Sequence, residues 1–246
     1  MNASLPPSLS ELLSYLADLG YRDVYLRKAA AGPATAPDLV EPRPLSPPEL
    51  VLAPEAAADA EARAAELAAL AATVAGCRRC RLAEGRQKVV FASGNPNADL
   101  MLVGEGPGAE EDRQGVPFVG AAGELLTRII QAIDMRREDV YIANVVKCRP
   151  PGNRDPQPDE VAACRGYLER QISLVKPKVL VALGKVAAQA LLGTESPIGQ
   201  MRGRWYQFQG TPLMVTYHPA ALLRNPALKR PTWEDMQQVR DRLRGG

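Results

Sequence analysis

The chain has 246 residues, of which 46% are hydrophobic and 24% are charged, and its formal net charge is +2. This length can bury one full-sized core with an extension but leaves hardly any room for two large domains. The first seven residues lack the pattern of a secretion signal, and no later run is apolar enough to span a bilayer. We therefore expect a cytoplasmic protein without membrane contact.

Residues 1–75 are predicted to form an N-terminal extension. Ser10–Leu19 places leucines on one face at helical spacing, which favours a short helix. Pro33–Pro54 is rich in proline and suits an extended linker, and Glu55–Ala75 is rich in alanine and favours a helix. No recognisable chemistry lies here, so the extension is expected to act at most as a docking segment for a protein partner.

From residue 99 onward, short apolar runs alternate with helical patterns. The predicted strands are 100–103, 140–146, 179–183 and 213–217, and the predicted helices between them are 121–133, 158–175 and 186–192. Such alternation is typical of a parallel sheet with helices on both faces. Because sites in these folds lie beyond the carboxyl ends of the strands, segments 104–123, 144–148 and 218–224 should converge.

His218 is the only histidine of the chain, and it follows the last predicted strand. An imidazole at a strand end suits acid, base or hydrogen-bonding chemistry near neutral pH. A lone histidine is also commonly structural. Its significance therefore depends on the residues that the fold places beside it.

The glycine-rich loop after the first strand carries Glu105 and is followed by Phe118. It does not match a dinucleotide or Walker fingerprint, and the acidic residues after it would repel a pyrophosphate. A carboxylate, accessible main-chain amides and an aromatic ring fit a flat polar ring better than a phosphate. A simple core role for Phe118 remains open.

Asn144 ends the second predicted strand, at the same edge of the sheet. Its amide both donates and accepts, so it can pair with adjacent donor and acceptor groups on a base edge. A cap or turn role is the alternative.

The four cysteines form a second group: Cys77, Cys80, Cys148 and Cys164. Without a secretion signal, disulfides are disfavoured. The spacing of the second pair is unlike that of a paired zinc motif, and thiolates from separate segments also suit an iron–sulfur cluster. The spacing leaves zinc, iron–sulfur and unligated cysteines open.

Charge is distributed unevenly along the chain. Residues 1–70 have five basic and ten acidic side chains, whereas residues 202–246 have eight basic and three acidic ones. This basic C-terminal region is compatible both with nucleic-acid binding and with an ordinary solvated surface.

Together the motifs resemble those of the family 4 uracil-DNA glycosylases. The motifs are GEGPG at 104–108, ED at 111–112, GVPFVG at 115–120, glycine at 123, NVVKCRPP at 144–151 and HPA at 218–220. The resemblance covers residues 75–244 and includes the four cysteines in the order of the family. It implies a glycosylase domain over 76–246, built as three α/β/α layers around a four-stranded parallel sheet.

The resemblance also implies an activity and a cofactor. The family excises uracil from single- or double-stranded DNA by flipping the nucleotide out of the helix. It carries a structural [4Fe-4S] cluster, here on the four cysteines. We expect a monomer. The alternative is a non-catalytic DNA-binding module that is held together by a metal cluster.

Residue roles follow from the resemblance. Phe118 would stack on uracil, and Asn144 would pair with its O4 and N3–H edge. His218, helped by the Gly106 amide, would stabilise the departing anion, and Glu105 would orient the attacking water.

Three further roles concern selection of the base and binding of DNA. Glu111 would crowd the position of a thymine methyl group and so spare normal bases. Leu222 would fill the gap left in the duplex, and Arg224 would contact phosphate.

Overall fold

The computed structural model describes residues 54–245. The helix expected at Ser10–Leu19 lies outside the described residues, as does the linker expected at Pro33–Pro54 except for Pro54 itself. Within residues 54–245, none of the helices has both the length and the apolar character needed to cross a membrane.

The described residues contain nine α-helices and six β-strands. The helices are α1 (Pro54–Ala75), α2 (Leu82–Gly85), α3 (Ala109–Gln114), α4 (Ala121–Gln131), α5 (Pro158–Val175), α6 (Lys185–Leu192), α7 (Ile198–Met201), α8 (Pro219–Arg224) and α9 (Lys229–Arg244). The strands are β1 (Ser93–Gly94), β2 (Leu100–Gly104), β3 (Tyr141–Asn144), β4 (Val179–Leu183), β5 (Trp205–Phe208) and β6 (Thr211–Thr216).

The strands form one sheet in the order β1-β3-β2-β4-β6-β5. The four central strands are parallel, which confirms the predicted parallel sheet. The predicted strand number is corrected, because β1 and β5 add antiparallel edges. Strand β5 joins β6 through Gln209 and Gly210, which both have positive φ angles, as expected for a two-residue hairpin turn.

Side chains of the central strands alternate between two cores, one on each face of the sheet. Met101 and Val103 of β2 pack with residues of α5 and α6, whereas Leu100 and Leu102 pack with residues of α4 and α9. Both faces are therefore covered, and the α/β/α layering is confirmed. This explains why the central strands are continuous apolar runs.

Helix α1 packs on α5 and belongs to the same core. Leu67 is 5% exposed within the α5 core, and Arg63 donates hydrogen bonds to the Leu174 and Val175 carbonyls at 3.0 and 3.3 Å. The predicted division of the chain after residue 75 therefore does not coincide with a break in packing. An alanine-rich sequence predicted the helix but not the face through which it packs.

Candidate active site

The carboxyl ends of the parallel strands surround one cavity of about 370 Å³. The three segments that the sequence predicted to converge all contribute to its lining. The lining residues are Glu105, Gly106, Pro107, Gly108, Glu111, Phe118, Ala122, Asn144, Pro150, Asn153, Arg154, Asp155, His218, Ala220 and Arg224. A cavity of this size at the carboxyl ends of parallel strands is typical of a site for a small ligand.

Asn144 is the last residue of β3 and is only 2% exposed. Its Oδ1 atom is buried without a hydrogen-bond partner among the described residues. An unpaired buried polar atom costs about 1–3 kcal/mol, so this amide is poised to bind a ligand. A side chain at Gly104 could not fit here, because its Cβ would lie 2.4 Å from Asn144 Oδ1.

Phe118 is held against the cavity in a backbone conformation that bulky residues rarely adopt. Its φ angle is +53°, in the left-handed region, which costs roughly 1–2 kcal/mol. Glu111 stabilises this loop by accepting hydrogen bonds from the Val119, Gly120 and Gly108 amides at 2.9, 3.1 and 3.1 Å. Local strain that is maintained by such contacts is characteristic of functional sites.

His218 caps α8 and stacks beside Phe118, with ring centroids 5.4 Å apart. Its Nδ1 atom accepts a hydrogen bond from the Ala220 amide at 3.1 Å, so the neutral ring carries its proton on Nε2. Burial, aided by the charge of Arg224 and opposed by Glu111, lowers the pKa of His218 to about 4. The ring is therefore a neutral hydrogen-bond donor at physiological pH.

Gly184, directly after β4, allows His218, which follows the neighbouring strand β6, to lie close to it. Its φ angle is +92°, and a Cβ there would lie 2.9 Å from the His218 Cβ. Both the backbone angle and the close approach require glycine.

Glu105 follows β2 directly and is half-buried. Burial and the nearby negative charge of Asp155 raise the pKa of Glu105 to about 7, while Lys185 opposes this shift. Lys185 forms an ion pair with Asp155 at 3.0 Å. A carboxyl group with this pKa can exchange protons near neutral pH.

Sequence reasoning missed three cavity residues, Asn153, Arg154 and Asp155. They follow the NVVKCRPP motif in a loop whose sequence shows neither helical nor strand spacing of hydrophobic residues. Arg154 anchors the loop through hydrogen bonds of 2.7 and 2.8 Å to Glu160, whose side chain is fully buried. Glu160 is the third residue of α5, where an acidic side chain is typical of a capping box. That pattern is the feature of the sequence from which this contact could have been predicted.

Comparison with known proteins assigns the chain to a family. A family model of the Uracil DNA glycosylase superfamily matches residues 91–237. A type-4 uracil-DNA glycosylase of Sulfurisphaera tokodaii is 44% identical over 177 residues, which cover 68% of this chain and 80% of that protein. The chain belongs to the type-4 uracil-DNA glycosylases.

Other members of the type-4 family give similar matches. The protein of Archaeoglobus fulgidus is 42% identical over 174 residues, covering 68% of this chain and 87% of its own. That of Thermotoga maritima is 45% identical over 168 residues, covering 67% and 88%.

One residue that the resemblance singled out lies elsewhere than expected. Leu222 is fully buried in the core beneath α8, so the prediction that it enters the DNA is wrong. Pro219 and Leu222 are three residues apart on a helix and share its buried face. The adjacent Leu223 is 46% exposed, and Arg224 is exposed at the rim of the cavity.

The four cysteines line a second, smaller cavity, and none of them is in a disulfide. Arg86 Nη1 lies 3.3 Å from Cys148 Sγ, and the Arg79 amide lies 3.5 Å from Cys77 Sγ. No carboxylate from the described residues lines this cavity. Within those residues, no three histidine, cysteine or acidic side chains are grouped closely enough to hold a single metal ion.

Proposed function

We propose that this type-4 family member hydrolyses the N-glycosidic bond of deoxyuridine in DNA, releasing uracil and leaving an abasic site. The observation that carries the proposal is the meeting of Asn144, Phe118 and His218 on one cavity. These residues supply an amide, an aromatic ring and a neutral imidazole. The amide can pair with the edge of a uracil ring, the aromatic ring can stack on its face, and the imidazole can stabilise the negative charge that develops as the bond breaks.

Recognition begins after the nucleotide leaves the helix, at a cost of a few kcal/mol. Stacking of uracil on Phe118 recovers about 1–3 kcal/mol. The Asn144 amide accepts from N3–H and donates to O4, whereas cytosine presents the opposite pattern. A bound cytosine would leave buried polar groups mismatched, which selects against it. Glu111, which lines the cavity and holds the loop of Phe118, would limit space for a thymine methyl group.

Bond cleavage places negative charge on the departing uracil. His218 donates from Nε2 toward O2, and the Gly106 amide assists. A neutral donor suits this role, because it stabilises the anion without first requiring protonation. Glu105 orients and deprotonates the attacking water on the other side of the sugar.

At the DNA surface, Arg224 contacts phosphate. Leu223, rather than Leu222, fills the space vacated by the flipped base, because it is the exposed leucine of α8.

An excision assay tests the proposal. Oligonucleotides with one uracil are expected to become alkali-labile at that position and to release free uracil, in single- and double-stranded form. Matched oligonucleotides with cytosine or thymine should remain intact. Binding of uracil-DNA without release of the base would contradict catalysis and favour the non-catalytic DNA-binding module.

The pH dependence of excision is expected to report Glu105. Because the carboxylate form accepts the proton, kcat/KM should rise with pH through about 7, the pKa of Glu105. Glu105→Gln should remove this acid limb and slow excision roughly 10²- to 10⁴-fold. Single-turnover rates between pH 5 and 9 provide the measurement.

Asp155→Asn provides a second arm of this experiment. Since the charge of Asp155 contributes to the raised pKa of Glu105, its removal should move the acid limb to lower pH. An unchanged pH profile in Glu105→Gln would show that another group activates water.

The cofactor proposal concerns the second cavity. The residues fit a [4Fe-4S] cluster, because four sulfur ligands share a cavity supplied with N–H donors and basic side chains. Cys77, Cys80, Cys148 and Cys164 would hold it, and it would supply a structural link between their segments. Hydrolysis needs no electron transfer, so the catalytic groups named above act without it.

Metal analysis is expected to find four irons and four sulfides per chain, as this cluster composition requires. Purification without oxygen, followed by iron, sulfide and zinc assays, provides the measurement. Stoichiometric zinc without iron would contradict the proposal. A cytoplasmic location, a monomeric state and a partner of the N-terminal extension stay predictions.

A further inference from the structure

Lys147 is a buried cation beside the cysteine cavity. Its side chain is 1% exposed, and it lines the cavity together with the four cysteines. The ammonium group donates hydrogen bonds to the Asn144 carbonyl at 2.7 Å and to Gln171 Oε1 at 2.5 Å. Both acceptors are neutral.

Burial of an ammonium group without an opposite charge is costly. Removing such an ion from water costs several kcal/mol even after the surroundings relax. Two neutral oxygens satisfy two of its three N–H donors, and the Phe91 ring lies 6.0 Å from Nζ, but none of these groups carries a negative charge. Among the described residues, no carboxylate lines the cavity beside it, whereas the four cysteines do. The cysteine cavity is therefore the place beside Lys147 where a compensating negative charge can be held.

We propose that Lys147 is the counter-ion of the iron–sulfur cluster and a positioning residue that connects the cluster to Asn144. This inference rests on the proposed cofactor. Four thiolates around a [4Fe-4S] core give a net negative charge, which matches the buried ammonium. Neither the Asn144 carbonyl nor Gln171 supplies such a charge.

The same side chain spans the distance between the two sites. Asn144 contributes its side-chain amide to the uracil cavity and its carbonyl oxygen to Lys147. The cluster thus holds the ammonium in place, and the ammonium holds the end of β3. This gives the cluster a structural role in base recognition without any redox step.

Arg86 differs from Lys147 in its surroundings. It reaches Cys148 Sγ at 3.3 Å and is partly exposed, so water shares its charge. Lys147 has no such access. We therefore expect Lys147 to have the larger influence on the electronic properties of the cluster.

Two substitutions in the holoenzyme test the proposal. Lys147→Met removes the charge and the donors, whereas Lys147→Gln keeps amide donors without the charge. Both variants should lower the reduction potential of the cluster, because a nearby cation favours the added electron. Both should also lose iron to a chelator faster, by roughly 10- to 100-fold. Dye-mediated redox titration and the decay of cluster absorbance provide the measurements.

Gln171→Met is the matched control, because it removes a neutral acceptor of Lys147 and leaves the charge. The reduction potential of the cluster in this variant should remain near that of the wild type. If Lys147→Met does not fold, Lys147→Gln carries the comparison. A wild-type potential and wild-type iron loss in Lys147→Gln would overturn the counter-ion role, as would an equal shift in Gln171→Met.

The wild-type protein separates this inference from the proposed function. Wild-type protein that excises uracil and contains no iron would contradict the cofactor, and with it the role of Lys147. Wild-type protein that contains iron but does not excise uracil would contradict the glycosylase proposal. The reduction potential of the cluster in the Lys147 variants would then still test the counter-ion role.

Discussion

His218→Ala is expected to slow uracil excision by a factor of roughly 100 to 1,000, because loss of one donor to a developing anion costs about 3–4 kcal/mol. The neutral Nε2–H donor is lost, while Glu105 and Asn144 remain. Substrate binding should change less than the chemical step, because the charge develops only as the bond breaks. Single-turnover excision on a uracil oligonucleotide measures the effect.

The pH dependence distinguishes a neutral donor from an imidazolium. Since the pKa of His218 is about 4, the wild-type rate should not fall between pH 7 and 9 through loss of a histidine proton. Circular dichroism of the variant should match the wild type, which controls for the lost stacking against Phe118. Excision by His218→Ala near the wild-type rate would contradict the assignment.

Asn144→Asp is expected to abolish most activity on uracil, by roughly a hundredfold. The substitution keeps the size of the side chain, but a carboxylate has no donor for O4. It also places a charge in a position that is 2% exposed. An unpaired buried neutral group costs about 1–3 kcal/mol, and a charged one costs more. Uracil release from single-stranded DNA, where duplex opening does not contribute, measures this effect.

Cytosine release from a matched oligonucleotide gives the corresponding specificity measurement for Asn144→Asp, because a carboxylate can accept from the cytosine amino group. Unchanged release of uracil would show that the base edge is recognised by another residue. A thermal melt of the variant identifies any loss of stability.

Much of the fold was predictable, because the central strands carry their own signal. A run such as Leu100–Gly104 is apolar throughout, since helices cover both faces of the sheet. Strand β5 was missed, although Gln209 and Gly210 mark its hairpin turn. Its aromatic residues alternate too briefly, and its place at the sheet edge depends on pairing with β6.

The candidate site was predictable where residues end a strand. Asn144 and His218 follow apolar runs, so the parallel sheet places them at one edge. Asp155 was not predictable, because its loop reaches the cavity through the ion pair between Arg154 and Glu160. The choice between Leu222 and Leu223 likewise depends on how a six-residue helix sits on the core.

The central claim is that three distant segments surround one uracil ring. A crystal structure of the protein with free uracil, or with uracil-containing DNA, tests it most directly. We predict the ring against Phe118, its N3–H and O4 edge at the Asn144 amide, and His218 Nε2 within hydrogen-bond distance of O2. Uracil bound outside this cavity, or within it without these three contacts, would contradict the account.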